Sequence, residues 1–595
     1  MNFMLLSDNL PADTDCGFLS AAEWNGMEWS MSNHNLDFEA LGSRIKKILY
    51  DYVKIESYTA TESERKVEDF FRNYTESVSY FREHPENCGL YSLSGDGLSR
   101  NVCWAMVRGK GKKTVCMVHH YDIVDVEDYK LLKNLAFSPD ELEQELLRHK
   151  DLLTEEAVKD LENGTFLFCR GGCDMKAGGA IQYALLEAYS HLAEDGKFDG
   201  NVIVIGVPDE ENLSAGMRAA VKLLSQLSKE RGLEYVMMIN SEPHQRKDFS
   251  KGVFSEGTVG KMMPFVYVRG YLSHAGKVFE GLNPSALLSE IAVRTEINMD
   301  FADRVGCEAA PPPTWLYQKD SKTHYDVSMP LSAQGCFSVL TLKQTPEELL
   351  GKVRKVCEEA FDAVIRRMNE NYVHYCRARN IEENPLPWQV SVSSFGELYE
   401  EAFRQAGETF AEKYRSEKEV VLADIQSGKK DMIEGTFSLI EVIYDYIEDI
   451  SPRVVFGLVP PYYPNVSNLY FDEIAPEALG ISEKLSTYTY GMYGQLYETE
   501  YFYTGICDLS YINTKNSEAQ RAALTESMPL FGADYDIPFE EIEDISMAGI
   551  NIGPWGKDFH KLTERVYKED LYVRTPKILD HAVKILLGSD SVVDG

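Results

Sequence analysis

Asn201-Val202-Ile203-Val204-Ile205-Gly206-Val207 runs directly into Pro208-Asp209-Glu210-Glu211. A short, continuous apolar run of this kind reads as a strand buried on both faces, as in a parallel sheet. The three acids behind it repel one another unless a cation sits among them. An acidic helix start, favoured by the helix dipole, is the plain alternative, and on this stretch alone the two readings stand level. Three other runs share the pattern. Thr114 to Val118 leads into His119 and His120, Tyr235 to Ile239 into Asn240-Ser241-Glu242-Pro243-His244, and Ala548 to Ile552 into Gly553-Pro554-Trp555-Gly556. Between them, Ile181, Ala184, Leu185, Ala188 and Leu192 recur at helix spacing, as do the apolar residues of Leu213 to Leu227. This alternation predicts an α/β sheet flanked by helices, with ligands bound at the carboxyl ends of its strands.

The 595 residues exceed what one simple core serves. From about Gly260 the pattern changes: an alternating strand at Phe265 to Gly270, a second at Gly335 to Leu342, then a helix from Pro346 to about Asn371. We read residues 260–385 as a smaller α+β, ferredoxin-like domain inserted into a larger one formed by 1–259 and 386–595, the last part with helical insertions. Arg453 to Val459, ahead of Pro460-Pro461-Tyr462-Tyr463-Pro464, reads as another central strand. The charged stretch Asp140 to Glu162 reads as solvated surface helices.

Bulk properties exclude several classes. A formal charge of −35 with no basic stripe argues against nucleic acid. No apolar stretch is long enough to span a bilayer, and Met1 to Leu36 lacks the parts of a secretory signal. Eleven cysteines without a dense spacing pattern fit a reducing compartment, so a cytoplasmic location is expected. No phosphate-cradling glycine turn stands between a strand and a helix, which removes nucleotide binding.

Each chemical motif is modest alone. His120 and Asp122 lie two apart at a strand end, where a carboxylate would hold the second nitrogen of a metal-bound imidazole; a chance pair in a surface loop is the favoured reading of that fragment by itself. Arg170-Gly171-Gly172-Cys173-Asp174-Met175-Lys176 enters a helix, with Asp174 as a helix cap or a carboxylate bridging metals. Cys169 and Cys173 lack the partners of a thiolate site. Glu210 and Glu211 suit a division in which one acid binds metal and its neighbour moves a proton. Glu242 ends another strand, and His560 follows the last, with Glu564 a helical turn beyond. Together, His, Asp, Glu, Glu and His in chain order, each near a strand end, make the N/O donor set that a hydrolytic metal pair requires.

These residues resemble the co-catalytic zinc exopeptidase family of aminoacylase, glutamate carboxypeptidase and succinyl-diaminopimelate desuccinylase. The matching positions are His120, Asp122 and Val124; Arg170, Gly171, Asp174, Met175 and Lys176; Asp209, Glu210 and Glu211; Glu242 and Pro243; Gly270, His274, Ala275, Gly281, Asn283 and Pro284; and Gly553, Pro554, His560 and Glu564. The long form with its Pro-Pro-Tyr-Tyr-Pro loop resembles the arginine-utilisation (Roc-type) branch.

The resemblance implies a zinc-exopeptidase-like mixed sheet and two Zn2+ ions, with Co2+ or Mn2+ as substitutes. His120 and Glu242 would share one ion, Glu211 and His560 the other, and Asp174 would bridge them. Glu210 would be the general base, Asp122 would orient His120, and His274 would polarise the scissile carbonyl, in many members from the partner subunit of a homodimer made by the inserted domain. The implied substrate is a small peptide or N-acyl amino acid, with a place in arginine or amino-acid catabolism. The alternative is a catalytically silent member that binds amino acids or peptides. A third reading gives Asp140 to Glu162 and Ala402 to Asp449 a role in protein assembly. Asp326-Val327-Ser328-Met329 ahead of Pro330, and Lys343 in place of an arginine, depart from the family at positions tied to substrate carboxylates; Ala177 stands where glycine is usual.

Overall fold

The four runs are strands, and they stand side by side. In the computed structural model, which describes residues 36–532 and 535–588, Asp199–Val207, Lys110–His120, Glu234–Asn240 and Ala548–Asn551 are adjacent and parallel within an eight-stranded sheet. Cys88–Ser92 and Asn101–Arg108 extend one side antiparallel. Gly252–Ser255 and Tyr497–Glu500 extend the other. Apart from Leu36, the N-terminal stretch read for targeting signals lies outside the described residues.

Burial on both faces explains the unbroken apolar runs. Cys116, Val118, Ile203, Ile205 and Met238 share a core with the helix Ala215–Arg231. Their alternates Val115, Met117, Val202, Val204 and Met237 are equally buried, and the helices Ala177–Glu194 and Thr575–Leu587 pack against these strands. Close approach is required here: a Cβ on Gly178 would lie 2.3 Å from the Ser241 carbonyl oxygen. Among the described residues no helix is long and apolar enough to cross a membrane.

A second, five-stranded sheet follows the order Thr314–Asp320, Ser332–Thr341, Gly260–Arg269, Arg453–Tyr463, Val392–Ser394. Met262, Val266 and Val268 face the helices Pro284–Thr295 and Pro346–Arg379. The latter begins with a capping box between Thr345 and Glu348. Met263, Phe265 and Tyr267 face a core with Leu398, Phe410 and Phe437, one from each of the helices Phe395–Ala406, Glu408–Gln426 and Met432–Tyr444. Arg453–Tyr463 is therefore a buried strand of this second sheet, where the sequence suggested a central strand of the first. A strand covered on both faces has the same apolar pattern in either sheet, so periodicity could not choose between them.

The helices Pro139–Leu146 and Glu155–Glu162 do more than face solvent. Leu142, Leu146 and Leu161 are buried. The Asp160 carboxylate accepts hydrogen bonds from Arg565 Nε and Lys557 Nζ, both at 2.8 Å, bracing the loop that carries His560.

Phe437, 2% exposed, has its ring 5.8 Å from that of Phe265. Phe437→Ala is expected to lower stability by about 3–5 kcal/mol in chemical denaturation. A loss below about 1 kcal/mol would show that the 395–444 helices are an appendage, as an assembly role would have it.

Candidate metal centre

Strand register brings the candidate residues together. His120 ends its strand opposite Val207, and Val118 lies opposite Asn240. The loops that follow, carrying Glu210, Glu211 and Glu242, therefore leave the sheet at one edge. Asp174 comes from the turn before the helix Ala177–Glu194. Gly171 there has φ +66°, a left-handed conformation, and a Cβ on it would lie 2.4 Å from an Ile123 methyl; glycine meets both demands.

His560 has φ +62° and sits in a loop. Glu564 is thus not a helical turn beyond it, as its spacing suggested. Instead the Glu564 carboxylate accepts from the Cys173 and Asp174 amides at 3.2 and 3.3 Å and from Arg170 Nη1 at 2.8 Å. It ties the His560 loop to the Asp174 turn.

Asp174 stands between two imidazoles. Its Oδ1 is 3.0 Å from His120 Nε2 and its Oδ2 is 3.1 Å from His560 Nε2. Glu242 Oε1 lies 3.4 Å from His120 Nε2, and Glu211 Oε1 2.8 Å from His560 Nε2. Donor atoms of His120, Asp174 and Glu242 fall within 4.8 Å of one another, as do those of Asp174, Glu211 and His560, and those of His120, Glu210 and Glu211.

The electrostatics match this crowding. Burial, then the charge of Asp174, pushes the Glu242 carboxyl up to about 8. Burial, reinforced by Glu211, Glu242 and Asp508 and opposed by His120, raises Glu210 well above the carboxylate range. Burial also raises Asp174, but hydrogen bonds with His120 and His560 outweigh it and hold this carboxyl below its usual value. Hydrogen bonds to Asp174 and Glu211 raise His560 to about 10. Among the described residues, protons on the imidazoles offset the acids here, helped by Lys261 near Glu210 and Lys176 near Asp122, and divalent cations between the same atoms would do so better. Imidazole nitrogens with convergent carboxylates, and Asp174 common to two of the three groups, fit two ions of the zinc, cobalt or manganese kind.

Asp122 supports this arrangement twice. His120 Nδ1 donates to the Asp122 carbonyl oxygen at 3.0 Å, which leaves Nε2 free for a ligand. The Asp122 carboxylate accepts from the Glu210 and Glu211 amides at 3.1 and 3.2 Å. Sequence reading missed a further support. Arg100 Nη1 donates to Glu64 Oε1 at 2.8 Å and to Asp209 Oδ1 at 2.7 Å, all three side chains being buried. Asp209 has φ +70°, and this network holds the start of the acidic turn. Its members lie 36 and 109 residues apart, so no local motif announces them.

His274 is not brought into this cluster. It sits on an exposed loop, with Nδ1 accepting from the Gly276 amide at 3.0 Å. Lys343 is also exposed. Asp326 accepts from the Ser328 amide at 2.8 Å. Cys169 and Cys173 are buried, with burial raising both thiols, which is the state of structural cysteines.

Known proteins share this architecture. The model of Peptidase family M20/M25/M40 matches residues 148–583. The chain is 33% identical over 546 residues to protein YqjN of Bacillus subtilis (strain 168), covering 91% of this chain and 96% of that one. It is 27% identical over 557 residues to protein RocB of the same organism, covering 92% and 95%. Among solved structures, aminopeptidase PepT from Bacillus cereus superimposes with a TM-score of 0.50 at 11% identity, covering 92% of this chain and 98% of the other. The M20 family metallo-carboxypeptidase Sso-CP2 from Sulfolobus solfataricus gives 0.50 at 11% identity, covering 91% and 99%. At such identity these likenesses are of fold. The family match, spanning well over half the chain, carries the assignment: the protein belongs to peptidase family M20/M25/M40 and is a metal-dependent hydrolase of peptide bonds.

Proposed function

We propose that this chain is a two-zinc exopeptidase or aminoacylase that cleaves an amide bond of a small peptide or N-acyl amino acid. The observation that carries this reading is the shared Asp174, each of whose oxygens faces one imidazole with its own glutamate. His120 and Glu242 would hold one ion, Glu211 and His560 the other, with Asp174 between them. Bound there, the ions would supply Lewis acidity toward the scissile carbonyl and lower the pKa of water.

The chain's own residues do the rest. Glu210 takes the proton of the attacking water and returns it to the leaving amine; burial among acids gives it the raised affinity for protons that this shuttle needs. Asp122 and the Arg100–Glu64–Asp209 network fix the turn on which Glu210 rides. We assign His274 to the carbonyl oxygen in the transition state. From its exposed loop it reaches the site across a homodimer formed by the inserted domain, or by closure within one chain. The identity to RocB supports the Roc-type resemblance, and on that resemblance we place the chain in arginine or amino-acid catabolism; its cysteine usage supports a cytoplasmic location.

Glu210→Gln is expected to keep its metal while hydrolysis of N-acyl amino acids and dipeptides falls by about 10²–10⁴-fold, measured as initial rates beside metal analysis. Retained activity would remove Glu210 as the base. Glu211→Ala and His560→Ala are each expected to purify with less metal than the wild type, read by plasma mass spectrometry. Unchanged content in both would overturn the ligand assignment.

A further inference from the structure

Asp508 is the strongest unexplained group near the centre. It opens the short helical turn Asp508–Tyr511, in a part of the chain from which no candidate residue came. Its side chain is fully buried, and neither carboxylate oxygen has a hydrogen-bond partner among the described residues. The turn packs against the strands Lys110–His120 and Glu234–Asn240, whose ends lead into His120 and Glu242. No salt bridge to Asp508 occurs among the described residues, whereas the buried acids Asp209 and Glu564 each have an arginine.

A buried, unpaired carboxylate is costly. Its electrostatic neighbours are His120 and Asp122, and its charge is felt in turn at Glu210 and Glu242. Three of these four are acids, so the polypeptide offers Asp508 little compensation. Compensation would come from a cation held at the His120 and Glu242 half of the centre. The other half, at Glu211 and His560, has its own short contacts and does not figure among the neighbours of Asp508.

We propose that Asp508 is a buried counter-charge, not itself a ligand, that strengthens binding of the divalent ion held by His120 and Glu242. This rests on the two-metal reading and extends it to a residue outside the matched motifs. Full burial and lack of partners distinguish Asp508 from a surface acid, and its field acts over a distance that a water-screened charge would not span.

The test is zinc binding by the full-length apoprotein, titrated against a competing chelator, for wild type and Asp508→Asn. The amide keeps the shape and removes the charge. One of two zinc dissociation constants is expected to rise roughly 10- to 100-fold, as when groups behind metal ligands are lost, while the other stays unchanged. The apoprotein variant is expected to melt at a higher temperature than apo wild type, because an uncompensated buried charge has gone. Asp508→Ala gives the same reading if the amide is not accommodated. Two unchanged dissociation constants, or equal loss of thermal stability with and without zinc, would overturn the proposal and leave Asp508 a packing residue. Wild type that takes up no zinc would instead sink the two-metal reading beneath it.

Discussion

Like charges forced together in a water-poor place set the terms for the rest of this molecule. Asp122, Asp174, Glu210, Glu211, Glu242 and Asp508 converge around two imidazoles. At an effective dielectric of about 20, two unit charges about 4 Å apart interact by about 4 kcal/mol. Several such repulsions are tolerable in a marginally stable fold only if cations offset them or the raised acids, Glu210 and Glu242 among them, take up protons. The energetic cost of assembling these acids is thus also the driving force for binding divalent ions.

The fold holds the acids in place against that repulsion. Parallel strands fixed in register deliver His120, the Asp209-Glu210-Glu211 turn and Glu242 to one edge. Arg100 and Arg170, both buried, each pair with acids adjoining the centre. Asp160 and Glu564 hold the loop of His560. Arg100 and Arg170 thus brace acids next to the centre, while its own carboxylates and imidazoles face one another.

Much of this was legible in the sequence for definite reasons. Strands buried on both faces leave unbroken apolar runs, and acids or histidines directly after them stand out, so the main sheet and the positions of His120, Glu210, Glu211 and Glu242 could be read. What could not be read depends on contacts distant along the chain. Glu64 and Arg100 are ordinary charged residues in polar stretches, and Asp508 is a lone acid in the largely apolar run Ile506 to Ile512, until the fold buries them. Arg453–Tyr463 was assigned to the wrong sheet because the helices covering it follow no pattern that names their target. His560 and Glu564, four apart, mimic a helix, whereas the positive φ of His560 makes a loop that sequence spacing does not reveal. His274, recognised by resemblance, lies on a loop whose position in one chain does not bring it to the acids.

Anomalous X-ray diffraction from crystals of the zinc-loaded protein, recorded on both sides of the zinc edge, tests the central claim most directly. The account predicts two zinc peaks about 3.5–4 Å apart, one on each side of the Asp174 carboxylate, the first against His120 and Glu242 and the second against Glu211 and His560. A single peak, or zinc bound away from Asp174, would contradict it.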